Sequence, residues 1–300
     1  MSETKKFGHG GNSTLITQEY FDSLQVELRM IDSVEASTKM ELFGASFSTP
    51  VMIAALSGLD RIRPNGMVDT AKGVAAAGAV MWTGIGSEEE LESLIATGAK
   101  TVKIIKPYAD TDLIFKKIEH AEKSGALAVG MDTDYVFGGK NTKGFAMEYS
   151  VSPKTLDEIK SYVKATKLPF ILKGILSEQD AYKALEAGAG GIVVSHHGGV
   201  IPYAVPPLKI LPKIAKVIEK QIPIFVDCGI TRGMDAFKAL ALGATAVSVG
   251  KAVMTGLAAN GADGVQKVLS DITEELNWAM NLTGSYDISD IDPTIIWHTA

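Results

Sequence analysis

The sequence predicts an α/β fold of one class, a (β/α)8 TIM barrel with a short N-terminal extension, and three observations carry that prediction. Eight short apolar runs recur from residue 50 onward, charged stretches with helical spacing separate them, and glycines stand where a helix gives way to the next run. The runs cover residues 51–55, 79–83, 101–105, 126–131, 169–172, 191–195, 223–226 and 244–249. They consist of Val, Ile, Ala and Leu without polar alternation, as expected of parallel strands covered on both faces. Eight alternating units favour a closed barrel over an open doubly wound sheet.

Residues 1–49 precede the first run and are expected to pack across one end of the barrel. The stretches 87–97, 112–124, 177–187 and 233–242 have polar starts and apolar residues three or four apart, which predicts helices. Ser87 is followed by Glu88, Glu89 and Glu90, and Ser177 by Glu178 and Asp180, the pattern of an N-cap with an acidic first turn that offsets the helix dipole. Gly78, Gly98, Gly125, Gly188 and Gly243 close helices before strands, where the left-handed backbone of a C-terminal stop is favoured. Residues 141–152, rich in Gly, Lys and Asn, form a loop after the fourth strand.

Length and composition suit a single domain. The chain has 300 residues, 46% hydrophobic and 21% charged, and a barrel of this class takes about 250 residues. Such a core needs neither disulfide nor metal. Cys228 is the only cysteine, which excludes an internal disulfide and fits a reducing compartment. Residues 1–11 are polar, with Lys5 and Lys6, and no segment reaches about 18 uninterrupted apolar residues, so the expectation is a cytoplasmic protein. A net charge of −6 argues against nucleic acid or an acidic membrane as partner.

In a barrel the chemistry gathers where strands end and loops begin. At those points lie Lys106-Pro107-Tyr108, Asp132, Lys173, Ser195-His196-His197-Gly198-Gly199, Asp227-Cys228-Gly229 and Gly250-Lys251. Gly229, Gly250 and Lys251 follow the last two strands, where barrels often hold a phosphate on backbone N–H groups. His197, set among glycines with an acidic residue at another strand end, is a candidate general base.

Three blocks then resemble the FMN-dependent α-hydroxy acid dehydrogenases and oxidases: Leu-Pro-Phe-Ile-Leu-Lys-Gly at 168–174, Gly-Ile-Val-Val-Ser-His-His-Gly-Gly at 191–199, and the stretch 227–244. The resemblance implies FMN as cofactor and a small-molecule substrate oxidised at a hydroxyl carbon. It implies that His197 is the base, Asp132 its acidic partner and Tyr108 a substrate contact. Lys173 would stand beside flavin N1, with Ala54, Ala55, Lys106, Ser195, Gly198, Asp227, Gly229, Thr231, Gly250 and Lys251 as further cofactor contacts. No metal is implied, and a homo-oligomer, a tetramer, is. Two other readings stay open, a flavin-dependent isomerase resembling type 2 isopentenyl diphosphate isomerase and a non-catalytic flavin or phosphate binder.

The chain also departs from the family it resembles. Two carboxylate-binding arginine positions fall on Val200 and near Gly139, and Phe7 and His9 stand in the segment that should carry tyrosines. Lys106 replaces a glutamine, Gly130 a threonine, His196 an asparagine, and Thr231 and Lys251 arginines. Arg61, Arg63, Lys106 and Lys140 are the candidate replacement contacts for a substrate anion. The substrate shell is therefore expected to be rebuilt.

Overall fold

The computed structural model describes residues 11–136 and 149–298. The chain opens with α1 (Ser13–Ser23), β1 (Leu24–Val26) and a hairpin of β2 (Met40–Leu42) and β3 (Ala45–Phe47). It then alternates through β4 (Val51–Ile53), α2 (Gly66–Ala76), β5 (Met81–Thr83), α3 (Glu88–Ala96), β6 (Thr101–Ile105), α4 (Thr111–Lys123) and β7 (Ala128–Asp132). The second half continues with α5 (Leu156–Lys164), β8 (Phe170–Ile175), α6 (Glu178–Ala187), β9 (Gly191–Val194), α7 (Pro207–Ile218), β10 (Ile224–Val226), α8 (Gly233–Ala241), β11 (Ala246–Val249), α9 (Lys251–Leu282) and β12 (Ile296–His298).

All eight predicted runs become strands of one parallel sheet in the order β4-β11-β10-β9-β8-β7-β6-β5. Closure between its ends comes from the Ile53 N–H donating to the Val80 carbonyl at 3.4 Å and a parallel bridge between Leu56 and Thr83. The barrel is thus (β/α)8. Each predicted helix forms, and the Ser87 and Ser177 hydroxyls accept from the backbone N–H of Glu90 and Asp180. The five helix-closing glycines all have positive φ, from 63° at Gly78 to 109° at Gly243.

Aromatic side chains fill the barrel interior. Trp82 on β5 meets Phe225 on β10 edge-on, with centroids 5.2 Å apart, and its indole N–H points to the Met52 sulfur on β4. Phe43, in the turn of the β2–β3 hairpin, reaches within 6.2 Å of the Phe225 ring, and Ser48 beyond it bonds to Gly78 ahead of β5. The hairpin therefore plugs the N-terminal end of the barrel. By contrast, α1 lies at the C-terminal end, where the Ser13 hydroxyl donates to the Ile201 carbonyl and the Lys238 ammonium to the Phe21 carbonyl. The extension packs on both ends rather than one, and β1 pairs antiparallel with β12 to tie it to the C-terminus.

Candidate active site

The C-terminal rim carries a buried cluster of charges. Asp132 ends β7 and pairs in register with Lys173 on β8, so their side chains stand together. Lys173 was expected just past its strand, but β8 continues to Ile175 through a register shift against β9. The Asp132 carboxylate receives Lys106 Nζ at 2.5 Å and Lys173 Nζ at 3.1 Å, and Lys173 also lies 3.6 Å from Asp227. All four residues are buried. Burial alone would raise the Asp132 carboxyl, but the Lys173 and Lys106 ammonium groups outweigh it and hold the group far below the usual carboxylate range. Burial would likewise lower Lys173, and Asp132 and Asp227 reverse that, so it stays a cation.

His197 follows β9 on a tight curl in which it, Gly198 and Gly199 all have positive φ, at 50°, 68° and 92°. That backbone is costly for a histidine and persists because its loop is pinned. The His197 N–H donates to Ser195 Oγ at 3.0 Å, and the Gly198 N–H points to Cys228 Sγ at 3.2 Å. The imidazole Nδ1 lies 2.9 Å from Asp134 and 3.7 Å from Asp132. Donation from Nδ1 to a carboxylate fixes the tautomer that leaves Nε2 with a free lone pair. Among the described residues Nε2 has no hydrogen-bond partner, and the side chain is 27% exposed.

The carboxylate nearest to His197 is thus Asp134, and Asp132, the partner expected from sequence, stands just behind it at 3.7 Å. The pattern Asp132-Thr133-Asp134 was the missed signal. Two tyrosines lie near these residues. Tyr108, expected as a substrate contact, packs edge-on against Tyr149 at 5.7 Å and faces Lys117 at 5.9 Å. Tyr135 has its ring 5.3 Å from the His197 ring and 4.0 Å below Lys106 Nζ. Asp132, Asp134 and His197 have ligand atoms within 4.8 Å of one another.

The rim also offers an anion site. Gly250 caps α9 with no side-chain hydrogen bond, leaving that helix start open to an anion beside the exposed Lys251. A Cβ on Gly250 would meet nothing closer than Ala54 and Leu56 at 3.8 Å. Ala54 thus lies beside Gly250 at this edge. Gly229 has a different reason to be glycine: with φ at 111°, an added Cβ would sit 2.8 Å from Thr17 and 3.0 Å from the Phe21 ring of α1. Thr231, expected at the cofactor, bonds through its N–H and hydroxyl to Asp235 at 3.0 and 2.8 Å and closes the start of α8.

Two neighbours hold the rim in place. His196 is buried, accepts the Gly199 N–H on Nδ1 at 3.0 Å and meets the Thr17 hydroxyl through Nε2 at 2.9 Å, which locks α1 onto the loop. Cys228 donates to Asp227 at 2.9 Å, and burial together with that carboxylate pushes its thiol up to about 12.

The chain has four arginines, all among the described residues. Arg29 pairs with Glu27 and Asp292, Arg63 with Asp69 and the Leu257 carbonyl, and Arg232 with Asp22 and Asp235. Arg61 donates to the Gly58 carbonyl at 3.1 Å. Val200 stands in the His197 loop with its N–H bonded to the His196 carbonyl. Gly139, Lys140, Phe7 and His9 lie outside the described residues.

The profile of the FMN-dependent dehydrogenases matches residues 8–159 and 146–298 of this chain. The chain belongs to the FMN-dependent dehydrogenase family. It is 33% identical over 298 residues to a peroxisomal (S)-2-hydroxyacid oxidase of Arabidopsis thaliana, covering 87% of this chain and 80% of that protein. An L-lactate oxidase of Lentilactobacillus hilgardii is 32% identical over 305 residues, 90% of this chain and 82% of the oxidase. A mandelate oxidase variant crystallised with a monooxide FMN adduct superposes with a TM-score of 0.86 at 30% identity, covering 97% of this chain and 92% of that one. This FMN-dependent dehydrogenase is accordingly an oxidoreductase with FMN as its cofactor. The residues present suit that cofactor: an uncapped helix start with Lys251 for a phosphate, small Ala54, Ala55 and Gly250 alongside, and the buried Lys173 cation at the same rim. No described helix is long and apolar enough to cross a membrane.

Proposed function

We propose that this FMN-dependent dehydrogenase oxidises a 2-hydroxy acid or related small hydroxy compound to the corresponding keto product, with His197 as the base. The observation that carries this reading is the 2.9 Å contact of His197 Nδ1 with Asp134, which leaves the Nε2 lone pair of this part-exposed imidazole free to accept a proton. FMN, when bound, supplies the acceptor for the two electrons released as the carbinol C–H bond breaks. His197 Nε2 takes the hydroxyl proton, and Asp134 holds the imidazole and balances the charge it then gains. Lys173, kept cationic by Asp132 and Asp227, is the residue suited to stabilise negative charge on the reduced flavin.

Ser195 and Cys228 hydrogen-bond to the His197 loop, and in this reading they position it. The reading places Ala54, Ala55, Gly250 and Lys251 at the cofactor. It includes a cytoplasmic homo-oligomer, and the exposed apolar side chains of Leu28, Met30, Ile31, Trp278 and Tyr286 support self-association. The base and its carboxylate are parts that a passive flavin binder would not need. The test is His197→Ala: FMN should stay bound while anaerobic flavin reduction by substrate falls about 100-fold or more. Reduction at the wild-type rate would remove His197 from the chemistry.

A further inference from the structure

We infer that this site takes its substrate as an uncharged 2-hydroxy carbonyl compound, an ester, amide or ketone, in preference to a free 2-hydroxy carboxylate. The inference rests on the proposed function and narrows its substrate class.

A carboxylate that leaves water for a protein rim needs a guanidinium or ammonium partner, because its charge is otherwise left unpaired. Of the four arginines, three hold acidic side chains away from the cluster, and Arg61 is bonded back onto its own loop at Gly58. The two lysines at the cluster are committed as well. Lys106 Nζ lies 2.5 Å from Asp132 with the Tyr135 ring beneath it, and Lys173 Nζ is shared between Asp132 and Asp227. Turning either toward a substrate would strip a buried carboxylate of a counter-charge.

The balance of charge points the same way. Lys106 and Lys173 face Asp132, Asp134 and Asp227, so with a neutral base the cluster carries one net negative charge. A substrate carboxylate beside His197 would meet repulsion rather than a partner. What the rim does offer is a neutral donor side chain, Tyr135, adjacent to the base. A phenol hydroxyl suits a carbonyl oxygen and asks for no compensating charge.

The experiment uses the FMN-loaded wild-type protein and matched compounds: lactate, methyl lactate and lactamide, and mandelate, methyl mandelate and mandelamide. Anaerobic flavin reduction is followed at low and high salt. Phenylacetate, methyl phenylacetate and phenylacetamide, which have no hydroxyl to oxidise, are titrated in parallel by the shift of the flavin spectrum. The expected result is a kcat/KM at least tenfold higher for an ester or amide than for its acid, tighter binding of phenylacetamide than of phenylacetate, and no salt dependence of either.

An acid that reduces the flavin as well as its ester, with a KM that falls at low salt, would overturn the inference while leaving the proposed function intact. Loss of that acid activity in Lys140→Gln would trace the missing cation to a residue outside those described. If no compound reduces the flavin but phenylacetamide binds more tightly than phenylacetate, the proposed function falls and the neutral preference stands. Failure of both reduction and binding would end both.

Discussion

Replacing Asp132 by Asn tests whether the buried charge cluster is held as the geometry indicates. The side chains keep nearly the same shape, so the change removes charge without opening a cavity. Lys106 and Lys173, each 7% exposed in the side chain, then lose their shared carboxylate, and Lys173 keeps only Asp227 at 3.6 Å. Removing one partner of a buried ion pair typically costs about 3–5 kcal/mol, because the stranded charge must be neutralised or rehydrated. We expect a loss in that range in equilibrium urea unfolding of the FMN-loaded protein at pH 7, with the slope against urea unchanged. The pH dependence has a definite sign. Asp132 is depressed in the folded state, so its contribution is complete above the unfolded carboxyl value of about 3.9 and fades as pH falls toward the folded value. The difference between wild type and variant should therefore be flat from pH 5 to 8. A loss below about 1 kcal/mol at pH 7 would refute the view that two lysines depend on this carboxylate.

Other consequences are as specific. Asp134→Asn should lower the rate of flavin reduction about tenfold or more through loss of the carboxylate that fixes the His197 tautomer, and Asp134→Glu should restore part of it, both read by stopped-flow absorbance. Lys103 lies between the barrel and the helices with its ammonium on the Gly84 carbonyl, and burial brings it down to about 8. The unfolded chain then binds the extra proton between about pH 8 and 10.4, so from pH 7 to pH 10 wild type should gain about 2–3 kcal/mol relative to Lys103→Met, measured by urea unfolding. Cys228, with its thiol pushed up to about 12, should resist iodoacetamide at pH 8 in the folded protein and react at once in urea, as mass spectrometry would show. Gly229→Ala should cost about 1–3 kcal/mol and loosen α1, detectable as faster proteolysis near residue 13, because both its φ and its neighbours on α1 exclude a Cβ.

Much of this molecule was legible in one dimension. Unbroken apolar runs mark the eight strands, since a strand buried on both faces needs no polar residue, and Ser87 and Ser177 mark helix starts by a bond made three residues away. Gly243 and its counterparts mark helix ends for an equally local reason. The rule that barrel chemistry lies at strand ends directed attention to Asp132, Lys173, His197 and Asp227, which the fold brings together at one rim. Their partners were not legible. That Asp134 lies closer to His197 than Asp132 does, and that Tyr135 stacks near His197, depend on where the chain turns after β7. Thr231 bonds to Asp235 on the following helix, and Gly229 is required by a helix more than 200 residues earlier. Local hydrogen bonding and burial period are written in neighbouring residues, and so the sequence determined the barrel and its reactive rim. The pairing of charges is a competition among groups brought together from distant strands, so only the tertiary structure decided which carboxylate lies nearest His197 and which cations are paired.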